Sequence, residues 1–330
     1  MALFKRNRSQ STEVVEHEES AAEKPTPDPM PDPPAVGENG LRDFWQHWDY
    51  LLTMVPELAE FGVPVLDAVG LTLNEAILAE SDLGGDIHAG DIAIDKGARV
   101  ITRMLPLLTG MGIDKVMARP NPRVLVIALS TAAVPASYLV AAQVRQAGGQ
   151  VHRMEYVFDQ TAPMIAAINE QLVRADFIIT IGGLGESGPD LRTVVDQIGP
   201  NDFTPVAVSP GRDHGFALAE DRVPVLALPA DAYATFVLTK LLVEPMIAKL
   251  MGAGTDPELF SAYLAQPLRV TPGVLTCVPA TVTNARMTVA GRPAGLGGLY
   301  SIYHANALAI LANDDGLVAA DSEAFYLPLS

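Results

Sequence analysis

The amino-acid sequence predicts an α/β protein: a doubly wound sheet, with an N-terminal helical segment before it and a small C-terminal β domain after it. Between residues 119 and 253, short aliphatic runs alternate with stretches long enough for helices, as expected for parallel strands joined by helical crossovers. The preceding segment carries apolar residues at helical spacing. Beyond residue 254, short strand-like runs stand among glycines and prolines.

Length, composition and charge limit the function. The chain has 330 residues, 49% of them apolar, which allows two or three domains with substantial cores. Its net charge of −17 opposes nucleic acids and anionic membranes, so we expect neither as a partner. A single cysteine, Cys277, excludes an intramolecular disulfide. With no apolar run of leader or membrane-span length, we expect a cytoplasmic protein without membrane insertion.

Residues 1–40 are acidic and then rich in proline, with a dense proline run over 24–34. Such a segment has too little apolar area to offset its ordering entropy, so we predict a disordered tail. It is either a solubilising leader or a docking arm for a protein partner, since proline-rich segments are common ligands of aromatic grooves.

Residues 41–118 form a predicted N-terminal helical dimerisation region. Apolar spacing indicates helices from 41 to about 60, from 65 to 79 and from about 102 to 111. Trp45 and Trp48 lie on one stripe of the first helix and belong either to the core or to a partner surface. We favour packing within a homodimer, since a monomer would expose this apolar area.

Residues 119–253 predict the alternating strands and helices of the sheet domain. The predicted strands cover 123–129, 150–156, 176–181, 206–208 and 223–228, and the predicted helices cover 136–146, 162–173, 190–198 and 233–250. Residues 254–330 predict the small β domain, with strands over 275–282, 287–289, 300–303, 307–311 and 324–327.

Several short motifs follow one another in order and spacing. They are Gly85-Asp86-Ile87, Arg119-Pro120-Asn121-Pro122, Gly182-Gly183, Ser187-Gly188-Pro189-Asp190, Pro210-Gly211-Arg212, Leu228-Pro229 and Ala305-Asn306-Ala307. Over about residues 65–330 this series resembles the molybdopterin molybdotransferases, the gephyrin E-domain family. The resemblance implies a molybdopterin-binding-type α/β domain, with molybdopterin and Mg²⁺ as its ligands.

The sequence departs from that family at three places. The family inserts a β-rich domain after the segment corresponding to Leu78-Ala79-Glu80, whereas this chain passes from Asp82 directly to Gly84. The acidic pair that the family carries after the first strand is replaced by Ala132-Ala133. A glycine of the family's Leu-Pro-Gly-Asn-Pro run is replaced by Ala230, which removes a position for close backbone approach to a ligand.

The candidate site residues come from the motifs that lie between strands and helices. A glycine-rich turn can bring backbone N–H groups close to a phosphate, although it can equally be a turn without a ligand. Asp190 is the candidate catalytic and magnesium-binding residue, or else it only favours the first turn of its helix. His214 and His304 are interpreted as ordinary core or surface residues. The candidate cofactor-binding residues are Ser130, Thr131, Gly182, Gly183, Ser187, Gly188 and Arg212.

Alternatives remain for several of these residues and for the function. Ser130 and Thr131 can donate to a pterin or only satisfy loop backbone groups. Arg212 stands where the family has a lysine near the anion. The departures favour a catalytically degenerate dimeric scaffold that binds a protein partner. The alternatives are pterin binding without catalysis, and a molybdopterin molybdotransferase that inserts molybdate into molybdopterin.

Overall fold

Short helices and short strands make up the described part of the chain between residues 44 and 119. The computed structural model describes residues 30–84, 86–156, 161–185, 191–220, 222–290 and 295–329. The N-terminal elements are α1 (Phe44–Thr53), β1 (Phe61–Pro64), β2 (Thr72–Leu73), β3 (Ile77–Leu78), β4 (Ile92–Ile94), a 3-10 turn (Thr102–Met104), α2 (Leu105–Gly110) and β5 (Lys115–Arg119). β5 pairs antiparallel with both β1 and β2.

The central region forms a six-stranded sheet. Its elements, with those that follow in the chain, are β6 (Arg123–Ala128), a 3-10 turn (Thr131–Ala133), α3 (Val134–Gln146), β7 (Gln150–Tyr156), α4 (Thr161–Gln171), β8 (Phe177–Ile181), α5 (Leu191–Val195), β9 (Asn201–Asp202), β10 (Val208–Ser209), β11 (Gly215–Ala219), β12 (Val223–Leu228), α6 (Ala232–Leu238), a π-helical segment (Thr239–Val243) and α7 (Glu244–Leu250). The strand order is β7-β6-β8-β12-β11-β9.

Helices cover both faces of this sheet. β7, β6, β8 and β12 run parallel, and β11 and β9 complete one edge in antiparallel fashion. Val124 and Val126 of β6 point into a core shared with α1, α3, α6 and α7. Leu125 and Ile127 point the other way, into a core shared with α4 and α5. The predicted doubly wound α/β fold is therefore confirmed.

A second six-stranded sheet makes up the C-terminal part. Its region contains β13 (Phe260–Leu264), β14 (Leu268–Arg269), β15 (Leu275–Thr283), β16 (Arg286–Val289), α8 (Gly295–His304), β17 (Ala307–Leu311), β18 (Leu317–Val318) and β19 (Glu323–Pro328). The order is β10-β15-β16-β13-β19-β17, and β17 also pairs with β15, which closes five strands into a small barrel. The predicted small β domain is confirmed.

Two of the predicted short strands were wrong. The predicted strand over 206–208 is displaced to Val208–Ser209, where it joins β15 of the C-terminal sheet rather than the central one. The predicted strand over 300–303 lies within α8 instead. Gly298 of α8 sits against Tyr233, with no room for a Cβ atom between them, so close helix packing decides the conformation here.

The helix predicted over residues 65–79 was also wrong. Some of its apolar residues, such as Val65 and Leu73, are buried, but in a core beside a small sheet. Gly70 has φ +88°, which interrupts a right-handed helix, and its N–H donates to Val100 O at 2.8 Å. Strand pairing with β5 therefore overrides the helical spacing of the sequence.

Part of the predicted tail packs against the protein. Residues 1–29 lie outside the described residues, but 30–40 do not, so the expectation of disorder needs correction for the latter. Met30 contacts the main core, and Tyr50 donates from its hydroxyl to Pro31 O at 3.1 Å. Arg42 Nε donates to Pro34 O at 3.1 Å. These bonds hold the end of the proline-rich run beside α1. None of the helices in the described ranges is both long and apolar enough to cross a lipid bilayer.

One hydrogen bond attaches α1 to the continuous helix formed by α6, the π-helical segment and α7, close to Pro245. Pro245 has no N–H, so it cannot make the helical i→i−4 bond to the carbonyl of Leu241. Trp48 Nε1 donates to that carbonyl at 3.0 Å, and the indole is only 8% exposed. Trp48 therefore belongs to this chain's own core rather than to a partner surface, whereas Trp45 is 37% exposed.

Replacing Trp48 by Phe tests this attachment. The substitution keeps an aromatic ring but leaves the Leu241 carbonyl without its side-chain donor, so we expect a loss of roughly 1–3 kcal/mol in the free energy of unfolding. Urea denaturation of the full chain measures it. Trp45→Phe is the matched control and should change stability by less than about 0.5 kcal/mol.

The role of the proline has its own test. In a Pro245→Ala background the helix can donate to Leu241 O itself, so Trp48→Phe should cost less than in the natural sequence. Equal costs in the two backgrounds would show that the indole bond does not compensate for the proline.

Candidate functional site

The carboxyl ends of the parallel strands gather the predicted site loops at one edge of the sheet. Ile181, the last residue of β8, is in register with Ala128 of β6 and with Leu228 of β12. Gly215, the first residue of β11, pairs with Ala227 of β12. The loops that follow β6, β8 and β12 therefore lie beside the turn that precedes β11. Open parallel sheets bind ligands at this edge.

Five of the candidate residues converge on this edge: Ser130, Thr131, Gly182, Gly183 and Arg212. The other three, Ser187, Gly188 and Asp190, lie outside the described residues. The roles predicted for those three stay predictions. Within the ranges that the structure does describe, no group of three or more His, Cys, Asp or Glu side chains is placed to hold a metal ion.

The glycine-rich turn after β8 has a backbone that only glycine adopts readily. Gly182, Gly183 and Gly185 have φ values of +89°, +77° and +97°. The N–H of Gly182 donates to Leu228 O at 2.8 Å, and the carbonyl of Gly183 accepts from Leu191 N at 3.0 Å. The turn is thus joined to β12 on one side and to α5 on the other, and it presents backbone without side chains at the sheet edge.

Ser130 has a structural role in the loop after β6. Its Oγ accepts from the N–H of Ala133 at 3.3 Å and so caps the 3-10 turn at 131–133. This is the loop-satisfying role that the sequence left as an alternative. The side chain of Thr131 is exposed at the same edge. Ala133, which stands where the family has an acidic residue, is fully buried.

Asp231 caps α6 in the loop after β12. Its carboxylate accepts from Ala234 N at 2.8 Å. Thr235 Oγ1 donates to Pro229 O at 2.6 Å in the same loop. Ala230 is buried, so the residue that replaces the family's glycine turns its side chain inward.

The turn Pro210-Gly211-Arg212 is held from several sides. Gly211 has φ +104°, and a Cβ atom there would come within 2.9 Å of the Leu238 side chain of α6. The carbonyl of Arg212 accepts from Val206 N at 3.1 Å. The Arg212 side chain is 61% exposed and pairs with Asp213 at 3.3 Å. The turn therefore fixes the backbone of Arg212 and leaves its guanidinium at the surface.

A buried network of hydrogen-bonded polar side chains contacts this turn from the interior of the protein. Arg42 forms an ion pair with Asp202 and a 3.2 Å hydrogen bond with His47 Nδ1. His47 Nε2 lies 3.0 Å from His214 Nε2, and His214 Nδ1 lies 2.8 Å from the carbonyl of Gly211. Arg42, His47 and His214 are each 2% exposed or less. His214 is thus a core residue as predicted, but not an isolated one.

One set of proton positions gives every hydrogen bond of this buried network both a donor and an acceptor. A carbonyl only accepts, so His214 Nδ1 carries a proton and, in a neutral ring, its Nε2 accepts. His47 Nε2 therefore donates to His214, and His47 Nδ1 accepts from Arg42. Both imidazoles are neutral in this arrangement. We assign these tautomers from the partners of each nitrogen.

Burial keeps both histidines neutral. Desolvation, reinforced by the neighbouring His214 and Arg42, lowers the pKa of His47 from its ordinary value to about 2. Desolvation also lowers the pKa of His214, against the opposing effect of the Gly211 carbonyl. Burial alone would raise the pKa of Asp202, but hydrogen bonds from Arg42 and Thr204 outweigh it and the pKa is lowered.

Stability should consequently depend on these histidines in mild acid. Below about pH 6.5 the unfolded chain protonates His47 and His214, whereas burial keeps both neutral in the folded chain, so the free energy of unfolding decreases as pH falls. For His47 the loss approaches roughly 1.4 kcal/mol per pH unit. Urea denaturation between about pH 7 and pH 5 should show a shallower decline for His47→Gln than for the natural chain. Parallel declines would contradict neutral burial of His47.

The cavity beside the turn is small. It has a volume of about 90 Å³ and is lined by Pro210, Tyr233 and Cys277, among others. Ligand pockets for drug-sized molecules measure roughly 300–1,000 Å³, so this cavity does not hold a pterin. At this end of the sheet, a ligand of that size would have to bind on the open edge formed by the loops.

Comparisons with known proteins agree with the sheet and its loops. The family described as "Probable molybdopterin binding domain" matches residues 135–249. Molybdopterin molybdenumtransferase 1 of Mycobacterium tuberculosis (strain ATCC 25618 / H37Rv) is 29% identical over 184 residues, which cover 51% of this chain and 43% of the relative. Molybdopterin molybdenumtransferase of Staphylococcus epidermidis (strain ATCC 12228 / FDA PCI 1200) is 29% identical over 252 residues, with 69% and 59% coverage. The chain spans about half the length of the curated relatives it matches.

Solved structures share the fold. A molybdenum cofactor biosynthesis protein from Pyrococcus furiosus has a TM-score of 0.71 and 23% identity, covering 88% of this chain and 100% of that chain. The molybdopterin biosynthesis moeA protein from Pyrococcus horikoshii OT3 has a TM-score of 0.72 at 14% identity, with the same coverage. The resemblance to the gephyrin E-domain family and the predicted fold class are confirmed.

Proposed function

We propose that this chain, a shortened relative of the molybdopterin molybdenumtransferases, acts in molybdenum cofactor biosynthesis and binds molybdopterin as its substrate at the carboxyl edge of the parallel sheet. The observation that carries the proposal is the convergence of the glycine turn after β8 with the turn that presents Arg212. The first offers backbone without side chains, and the second offers an exposed guanidinium for an anionic group. The matched family region spans both turns.

Arg212 is the residue to test, because the chain contains a matched control. Arg212 precedes β11 at the proposed site, and Arg222 follows β11 at the opposite end of the same hairpin. Both side chains are 61% exposed, and each pairs with a nearby carboxylate, Asp213 and Glu220 respectively. The two differ chiefly in their place relative to the sheet edge.

The prediction concerns molybdopterin affinity. Arg212→Ala should weaken binding about tenfold, the effect of losing one charge-assisted hydrogen bond at a partly exposed position. Arg222→Ala should bind like the natural chain. Anaerobic equilibrium titration of the purified proteins with molybdopterin gives both constants. Equal affinities for the two variants would place the ligand elsewhere.

Transferase activity is the finer part of the proposal. The relatives' names support it over the scaffold interpretation, and genetic complementation of a strain without its own molybdotransferase tests it. Restored molybdoenzyme activity that disappears with Asp190→Ala would assign molybdate insertion to this chain and give Asp190 a catalytic role. Binding of molybdopterin without complementation would support a pterin-binding protein that does not insert molybdate.

A catalytically degenerate scaffold is the second candidate function, and one observation favours it. Where the family carries an acidic pair, Ala132 and Ala133 form a 3-10 turn capped by Ser130, so this loop offers no carboxylate to a cation. A scaffold would bind neither molybdopterin nor molybdate and would retain a protein partner. The titration above separates the two candidates.

We also propose that the chain is a homodimer. Several exposed aromatic side chains support it, among them Trp45 and Tyr303, the latter 81% exposed. Sedimentation equilibrium at micromolar concentration should give twice the chain mass. A monomer under these conditions would contradict the proposal. The cytoplasmic location stays a prediction from the sequence.

A further inference from the structure

We infer that His214 is a positioning residue: it holds the Gly211 carbonyl so that the Pro210-Gly211-Arg212 turn presents Arg212 at the sheet edge. This inference rests on the proposed function in one respect, that Arg212 meets the substrate. The hydrogen bond from His214 Nδ1 to Gly211 O, at 2.8 Å, is the geometric basis.

The turn needs a donor at this point because its other contacts leave one direction open. Leu238 blocks movement of Gly211 toward α6, since the glycine Cα already lies against that side chain. Val206 N holds the carbonyl of Arg212 at 3.1 Å. The bond from His214 adds the constraint on the peptide unit between Gly211 and Arg212, and so sets the direction in which the Arg212 side chain leaves the backbone.

The N-terminal segment in turn orients His214. His214 Nδ1 donates to the carbonyl only if its Nε2 accepts, and the proton on His47 Nε2 makes that arrangement favourable at a separation of 3.0 Å. His47 is itself oriented by Arg42, which Asp202 and the carbonyl of Pro34 hold in place. The residues before the sheet domain therefore reach the proposed site through a continuous chain of hydrogen bonds.

Charged groups on every side bear on this arrangement. Asp202 on β9 and Asp213 on the turn itself favour a protonated His214, whereas Arg42, on the segment before α1, opposes it. Tyr50 of α1 stacks under the Arg42 guanidinium at 5.7 Å. When an anion binds to Arg212, a turn that is already fixed loses less conformational entropy than a mobile one. His47 and His214 would increase the affinity in this way without contacting the ligand.

A pair of nearly isosteric substitutions separates positioning from packing. His214→Asn keeps a side-chain N–H near the Nδ1 position, and His214→Leu has similar size but no donor. Both lose the bond to His47. The difference between them therefore reports on the Gly211 carbonyl bond.

Hydrogen exchange of the Val206 amide measures the turn directly, because that amide donates to Arg212 O. We expect His214→Leu to raise its exchange rate at least tenfold over His214→Asn, once the rate of the Ile179 amide in the central strand β8 has been used to correct for global stability. Equal corrected rates in the two variants would overturn the inference, whether or not the protein binds molybdopterin.

Molybdopterin affinity supplies the second readout. His214→Leu should weaken binding about tenfold and His214→Asn should restore most of it. In the His214→Leu background, Arg212→Ala should add little further loss, because the guanidinium is already misplaced. A full additional loss would show that His214 contributes only stability. If the natural chain binds no molybdopterin, the proposed function fails while the exchange measurement still decides the positioning role.

Discussion

The buried hydrogen bonds between the N-terminal segment and the sheet domain are the constraint on which the rest of the structure depends. α1 carries large apolar residues into the main core, but its register there is fixed by buried polar atoms that have no solvent to bond to if their protein partners are lost. The Trp48 indole meets the Leu241 carbonyl, and the Arg42 guanidinium meets the Asp202 carboxylate. A one-turn shift of α1 would leave both pairs broken in the interior, at a cost that apolar packing alone would not impose.

The same constraint connects the N-terminal segment to the site. β9, which carries Asp202, is the edge strand beside β11, and His214 comes just before β11 begins. Anchoring Arg42 on Asp202 therefore places His47 beside His214 as a matter of sheet geometry. Glycines allow the remaining close contacts, with Gly211 against Leu238 and Gly298 against Tyr233. In this way α6 is packed on two sides, by the turn that presents Arg212 and by α8.

How much of this could be predicted from the sequence depends on the range of the interactions that decide each part. The strands over 150–156 and 223–228 matched the observed bounds. For 223–228 the reason is direct, because its continuous apolar run reports burial on both faces. The helix expected over 65–79 failed, since pairing with a strand more than forty residues away decides that backbone. The segment over 300–303 failed for the same kind of reason, because the contact of α8 with α6 decides its conformation.

The candidate site divides along the same line. The glycine-rich turn between a predicted strand and a predicted helix indicated a site at this edge, because parallel topology brings strand ends together. Arg212 was named only from the family resemblance, and its place beside that turn needed the structure. The pairing of His47 with His214 carried no sequence signal: the two residues are 167 positions apart and neither stands in a metal-ligand pattern. Only the folded arrangement, with β9 beside β11, shows that two unremarkable histidines share one network.

What the departures from the family mean for chemistry also follows from these local structures. Ala133 is buried beneath the turn that Ser130 caps, and Asp231 is engaged as the N-cap of α6, so both loops use their polar groups internally. The loop after β6 then offers no carboxylate among its described residues, and Asp231 is engaged in its cap, whereas Asp213 beside Arg212 is half-exposed at the same edge. Molybdopterin brings its own phosphate, and hard oxygen ligands of that kind are what a divalent cation prefers. Under the proposed function, the missing acidic pair removes one source of cation ligands but leaves the glycine turn and the exposed Arg212 guanidinium in place. The proposal therefore treats substrate binding and molybdate insertion as separable.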